Sequence, residues 1–331
     1  MQTDNREPLN EYPSKLPFKL EALTCPHANP RLKQVFLTLL NTVKTTFNTI
    51  EPENIKNSLK IIINEFKNSA YNDLLLYTYA ITEDNYIPIH IANNVIFSIA
   101  FGNYLRLSDE DLLDLGLVAF CHDFGMMEYS NIVQAPNQLS KDERNLVQKH
   151  PLKSVDKFQN VFSEKIMNAI MEIHETVDGR GYPLKKSALE ISIFAKIVSI
   201  CDVFASLTHA RNFRASFSPY EAIKMIINKK NLMFDERLLK KFIEYTSIYP
   251  IGSFLLLNTG QTALVIANDP PSPTHCIIRI LLLPNNKVDP MHKIVSFREE
   301  TLIYVTEALN QTKKEQVVQL ANLKGIFLNE K

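Results

Sequence analysis

Apolar residues in the span 31–50, among them Leu32, Val35, Phe36, Leu39, Leu40 and Val43, recur at spacings of three and four, and a similar pattern fills 55–80. That period predicts amphipathic helices. Pro88 suits the first turn of a helix carrying Ile91, Val95, Ile96 and Ile99, and this helix bears His90. Ser108 with Asp111 forms a capping pattern ahead of Leu112, Leu115 and Ala119, and that helix should end near His122 and Asp123. Ser140 with Glu143 repeats the pattern, opening a helix expected to stop close to His150, because Pro151 disfavours helical geometry in the residue before it. Ser163 opens a helix with Ile166, Ile170 and Ile173 on one face, broken after His174 by the Gly179 to Pro183 stretch. The longest apolar-rich helix is predicted over 191–210, with Asp202 midway, and two more follow over 219–229 and 235–246.

At Tyr249-Pro250-Ile251-Gly252 the pattern changes to short runs of β-formers, 253–257, 263–267 and 276–282. Asn258-Thr259-Gly260-Gln261 joins the first two in the manner of a hairpin. A helix is expected in 311–328, and the first 30 residues, with five prolines and little periodicity, read as an extended lead-in. The fold class is therefore mostly α, a helical bundle with a small β-rich appendage. Three regions are expected: 1–80, a helical input or dimerisation region; 81–250, the main helical domain; and 251–331, the β-rich extension.

Composition narrows the functional classes. Lysine plus arginine equal aspartate plus glutamate, 36 against 36, so no net field draws the chain to a nucleic-acid polymer or an anionic membrane. No apolar run approaches the roughly 18 residues that span a bilayer, and a cytoplasmic location is expected. Cys25, Cys121, Cys201 and Cys276 stand far apart without a CxxC pair, which argues against a disulfide framework or a structural zinc site. Three of the eight glycines, Gly125, Gly179 and Gly181, fall in the segments that carry candidate chemistry.

That chemistry is a set of imidazoles and carboxylates on successive predicted helices: His90, the pair His122-Asp123, His150, His174 and Asp202. A bundle core gathers such ligands into one cavity, and the donor types suit iron, manganese, nickel or zinc. Neighbours in a regular helix diverge by about 100°, so His122 and Asp123 share an ion best at a helix end. Each imidazole alone also reads as an ordinary satisfied polar group; together they point to a metal site.

The segments His122-Asp123-Phe124-Gly125, His150-Pro151 and, above all, His174-Glu175-x-x-Asp178-Gly179-Arg180-Gly181-Tyr182-Pro183 resemble the HD-GYP family. Ile200-Cys201-Asp202-Val203-Phe204 and Arg211-Asn212-Phe213-Arg214 are similar to that family's aspartate helix and paired arginines, and the likeness runs over about 85–283. It implies an HD-superfamily helical bundle. It further implies a four-residue metal site of His90, His122, Asp123 and Asp202, with Asp123 bridging to a second ion on His150 and His174. His122 and Asp123 would be central to catalysis, with one or two divalent ions, iron or manganese, as cofactor. The implied substrate is a cyclic dinucleotide, cyclic di-GMP first. Arg211 and Arg214 are candidates to grip phosphate, and Tyr182 to face a ligand or partner; a solvated surface pair and a structural loop are the alternatives. A diguanylate cyclase or other signalling protein is a candidate partner, as is a second copy of the chain through its amino-terminal helices.

Four positions depart from the family pattern. Ile173 stands where a second consecutive histidine is usual, Met126 where a lysine follows His-Asp-x-Gly, Tyr86 where some members carry a glutamate four residues before the first histidine, and Ala205 where an aspartate is usual. These leave two main readings open: a phosphodiesterase acting chiefly through the complete first site, or a module that binds nucleotide or a partner without hydrolysis. A phosphohydrolase redirected to another phosphorylated molecule is a third. A metalloprotease reading of His174-Glu175-Thr176-Val177-Asp178 fails because an aspartate and then Gly179 replace the second histidine and its helix.

Overall fold

The computed structural model describes residues 30–68, 74–80, 86–135, 137–210, 215–229, 232–291 and 293–321. The chain opens with α1 (Pro30–Thr46), α2 (Pro52–Asn68) and α3 (Leu74–Ala80). The helical pattern expected over 55–80 is divided between α2 and α3, and 69–73, like the lead-in 1–29, lie outside the described residues.

α4 (Tyr86–Tyr104) is the centre of the bundle: every residue from Ile87 to Gly102 is buried. A helix apolar on all sides belongs in a core rather than at a surface. At 19 residues it is longer than α10 (Ile193–Thr208, 16 residues), which corrects the expectation that the later helix is the longest. α5 (Asp109–Cys121) begins at Ser108, whose side chain accepts from the Asp111 N–H as expected. A 3-10 turn (Phe124–Tyr129) and the short α6 (Ser130–Val133) lead to α7 (Lys141–Val147), which has the full Ser140/Glu143 capping box. That helix stops close to His150, as expected, with its C-cap at Gln148. His150 opens the next one, α8 (His150–Phe158), with Pro151 in the first turn, where a missing N–H costs nothing.

α9 (Glu164–Glu172), α11 (Pro219–Ile227) and α12 (Glu236–Thr246) complete the bundle. One continuous apolar core runs from Leu32 through Phe101, Phe120 and Phe204 to Ile251, so α1 to α3 share the core of the later helices. The appendage is an antiparallel sheet of order β4-β3-β2-β1-β5: β1 (Phe254–Leu257), β2 (Thr262–Asn268), β3 (Cys276–Leu282), β4 (Ile294–Ser296) and β5 (Val305–Ala308). The three expected strands are present; the two short edge strands carry no run long enough to announce them. α13 (Gln311–Leu320) covers one face, and 322–331 lie outside the described residues. Cys121, Cys201 and Cys276 are buried free thiols, and Cys25 is outside the described residues. Among the described residues no helix is long and apolar enough to cross a membrane.

Candidate metal centre

The HD turn is held from behind by α8. His122, the C-cap of α5, is still helical (φ −57°, ψ −40°), whereas Asp123 leaves the helix at φ −102°, ψ 7°. That change lets adjacent side chains converge. Ser154 Oγ donates to the His122 carbonyl at 2.6 Å and accepts the Gly125 N–H at 2.8 Å. Gly125 permits the approach, since a β-carbon there would lie 2.1 Å from the His150 carbonyl and 2.8 Å from the Ser154 nitrogen.

Two ligand-sized groups result, each with its donor atoms within 4.8 Å of one another: His90, His122, Asp123 and Asp202, all buried; and Asp123, His150 and His174. In the first, His90 Nε2 lies 2.7 Å from Asp202 Oδ1 and 3.4 Å from Asp123 Oδ2, and His122 Nε2 lies 3.6 Å from Asp123 Oδ1. In the second, His150 Nε2 lies 3.2 Å from Asp123 Oδ1 and 2.8 Å from His174 Nε2. Asp123 belongs to both. The six residues singled out in the sequence as metal ligands are all brought together here.

The residues fit a divalent cation. Far-side nitrogens are anchored: His122 Nδ1 donates to the Ala119 carbonyl (2.8 Å), His150 Nδ1 to the Val147 carbonyl (2.8 Å), and the Tyr86 hydroxyl hydrogen-bonds His90 Nδ1 (2.9 Å). Such outer bonds aim the Nε2 lone pairs at a common point. The electrostatics agree. Burial works against charge on His122, but Asp123 and Asp202 raise it to about 9, while burial is overcome at Asp202 by hydrogen bonds from His122 and His90 that hold its carboxyl well below the usual range. This pocket draws in positive charge, as a proton or as a metal ion. Burial, and then the neighbouring His150, push His174 down to about 3, so its ring is neutral and available as a ligand.

The loop after His174 is built around Glu175. Its buried carboxylate accepts the N–H groups of Leu184 (2.5 Å), Lys185 (3.0 Å) and Lys186 (3.0 Å). Gly181 packs so tightly on this segment that a β-carbon would lie 2.4 Å from the Glu175 Cα. The Tyr182 N–H donates to the His174 carbonyl (3.2 Å), and the Tyr182 ring stacks on His174 with centroids 4.9 Å apart and planes 12° apart. Tyr182 therefore flanks the second group. Arg211 and Arg214 lie outside the described residues.

Of the four departures, Ile173 is fully buried in the helical core, Ala205 is buried there too, and Met126 is partly buried against it. Tyr86 is no empty substitution, because it orients His90. Reading the sequence for ligands missed Tyr86, Asn94, Ser98, Ser154 and Glu175. Three of these could have been found: Tyr86, His90, Asn94 and Ser98 are four apart and so line one face of α4.

Residues 92–238 match the HD domain family. A cyclic di-GMP phosphodiesterase of Pseudomonas aeruginosa is 26% identical over 227 residues, covering 68% of this chain and 55% of that protein. PdeB of Borreliella burgdorferi, also described as a cyclic di-GMP phosphodiesterase, is 26% identical over 238 residues, 70% of this chain and 62% of that one. The chain thus spans little more than half the length of these relatives. An HDG"Y"P protein of Bdellovibrio bacteriovorus superposes with a TM-score of 0.55 at 20% identity, covering 67% of this chain and 75% of that one, a likeness of fold. The segment that matches the HD domain contains most of the buried His/Asp cluster, whose donors suit a divalent metal. The fold, a mostly helical bundle with a small carboxy-terminal antiparallel sheet, is similar to that of the HDG"Y"P protein.

Proposed function

We propose that the chain is a metal-dependent phosphodiesterase acting on a cyclic dinucleotide, cyclic di-GMP first. The observation that carries this reading is the shared position of Asp123 between two converging ligand groups. His90, His122, Asp123 and Asp202 would hold one ion, and Asp123, His150 and His174 a second, with iron or manganese favoured by the mixed imidazole and carboxylate donors. When bound, such ions acidify water near neutral pH and offset negative charge on phosphoryl oxygens. The chain's own part is to aim the donors. Tyr86, Ala119 and Val147 fix the imidazoles, Ser154 fixes the HD turn, and Glu175 fixes the loop that carries Tyr182 to the rim, where its ring would border a nucleotide. Arg211 and Arg214 are proposed to hold phosphate by forked hydrogen bonds. Residues 1–80 are proposed as an input or dimerisation region, which a diguanylate cyclase, another signalling protein or a second copy would meet.

The test is hydrolysis of cyclic di-GMP by protein loaded anaerobically with iron(II) or manganese(II), beside Asp123→Ala. A linear or mononucleotide product from the parent and none from the variant, which should also lose metal, is expected. Nucleotide bound and recovered unchanged by fully loaded parent protein would make the chain a receptor instead.

A further inference from the structure

Asn94 is fully buried on α4, one turn beyond His90. Its Nδ2 lies 3.2 Å from His122 Nε2, and Ser98 Oγ donates to its Oδ1 at 3.0 Å. Ser98 in turn meets the thiol of Cys201, the residue before Asp202. Since His122 Nδ1–H is committed to the Ala119 carbonyl, its ring is fixed, and since Ser98 holds the amide oxygen, the amide nitrogen is the end that faces the first ligand group. Once His122 Nε2 is bound to an ion it offers this N–H no lone pair. A buried donor left without an acceptor is costly, so the amide needs a new acceptor beside the ion.

We propose that Asn94 is a ligand-contacting residue of the first group: with a divalent ion on His90, His122, Asp123 and Asp202, its amide donates to an anionic phosphate oxygen seated there. This rests on the metal-centre reading above. A neutral donor is well chosen for the task, because it recognises the oxygen without repelling the ion. With Met126 in place of the lysine that the family resemblance leads one to expect, such a donor also gains weight.

The experiment is calorimetric and needs no turnover: manganese(II) is titrated into metal-free protein, then inorganic phosphate into the loaded form. Asn94→Leu, similar in size but without a donor, should take up manganese with the parent's stoichiometry and bind phosphate about tenfold more weakly. Ser98→Ala, which keeps the amide but frees its orientation, should lose a smaller factor and covers the case in which the leucine variant does not fold. Phosphate affinity unchanged in both variants overturns the proposal. A parent that takes up no manganese overturns the metal centre and this proposal together. A parent that loads and binds phosphate without cleaving cyclic di-GMP overturns only the activity.

Discussion

His150 and His174 meet through their Nε2 atoms at 2.8 Å, and His150 has given its other N–H to the Val147 carbonyl. With burial and His150 holding His174 down to about 3, its neutral ring faces the His150 ring across a contact suited to a shared proton or a cation. Asp123 completes that seat from the side. His174→Ala should therefore abolish the weaker of two manganese-binding events and leave the tighter one, centred on His90 and Asp202, within about threefold. Calorimetric titration reads this directly, and an isotherm identical to the parent's would remove His174 from the ligand set.

Glu175 gives a second prediction, because its carboxylate serves three backbone N–H groups rather than a reaction. Glu175→Ala should cost about 2–3 kcal/mol in urea unfolding, the scale expected when several donors lose a charged acceptor. Glu175→Gln, which keeps one carbonyl oxygen, should cost less. Hydrolysis should fall mainly through a raised KM, as the Tyr182 loop loosens. A glutamine variant of unchanged stability but abolished kcat would instead make Glu175 a proton-transfer group.

The paired histidine and carboxylate motifs were legible because metal ligation demands residue types that sequence displays. Their supports were not, since Ser154, Glu175 and Gly125 matter through tertiary approach: α8 against the HD turn, or a carboxylate reaching ten residues down the loop. Pro151 was ambiguous in itself, as the same residue ends one helix or begins another, and the chain uses it for the second purpose. For Asn94 and Ser98 the four-residue spacing from His90 was the available signal, weakened because α4 is buried on every side and shows no solvent-facing polar stripe. β4 is only three residues long, and β5 is broken by Thr306 and Glu307, so neither offers the apolar run that marks the equally short β1.

Ile173 tests whether the second site has been surrendered to the core. It is fully buried, so Ile173→His in the absence of metal should lower stability by about 2–4 kcal/mol through lost packing and a buried imidazole. If the new ring reaches the His150 and His174 seat, manganese should restore more stability to the variant than to the parent, because an ion that binds only the folded chain stabilises it by mass action. Paired with Met126→Lys, the variant should also turn over faster. Equal manganese-induced shifts in thermal midpoint would show that position 173 faces only the core.

Lys314 links stability to pH at the far end of the molecule. It is 8% exposed on α13 against the β-sheet, its Nζ 5.9 Å from the Phe254 ring centre, and burial, partly opposed by Glu315, lowers its pKa from 10.5 to about 8. Between those values the unfolded chain holds the proton more firmly than the folded one, so this group's contribution to stability rises with pH. Its penalty is fully present below pH 8 and is gone above about pH 10.5. Lys314→Met should thus stabilise the protein by roughly 1–3 kcal/mol at pH 7, with the advantage shrinking steadily across that window. The buried thiols Cys121, Cys201 and Cys276 pull the other way at alkaline pH, their pKa values being raised by burial, but they are common to both proteins and cancel in the difference. Denaturant unfolding of parent and variant at pH 7, 8, 9 and 10 measures it; a constant difference across the series would mean that Lys314 keeps an ordinary pKa in the folded chain.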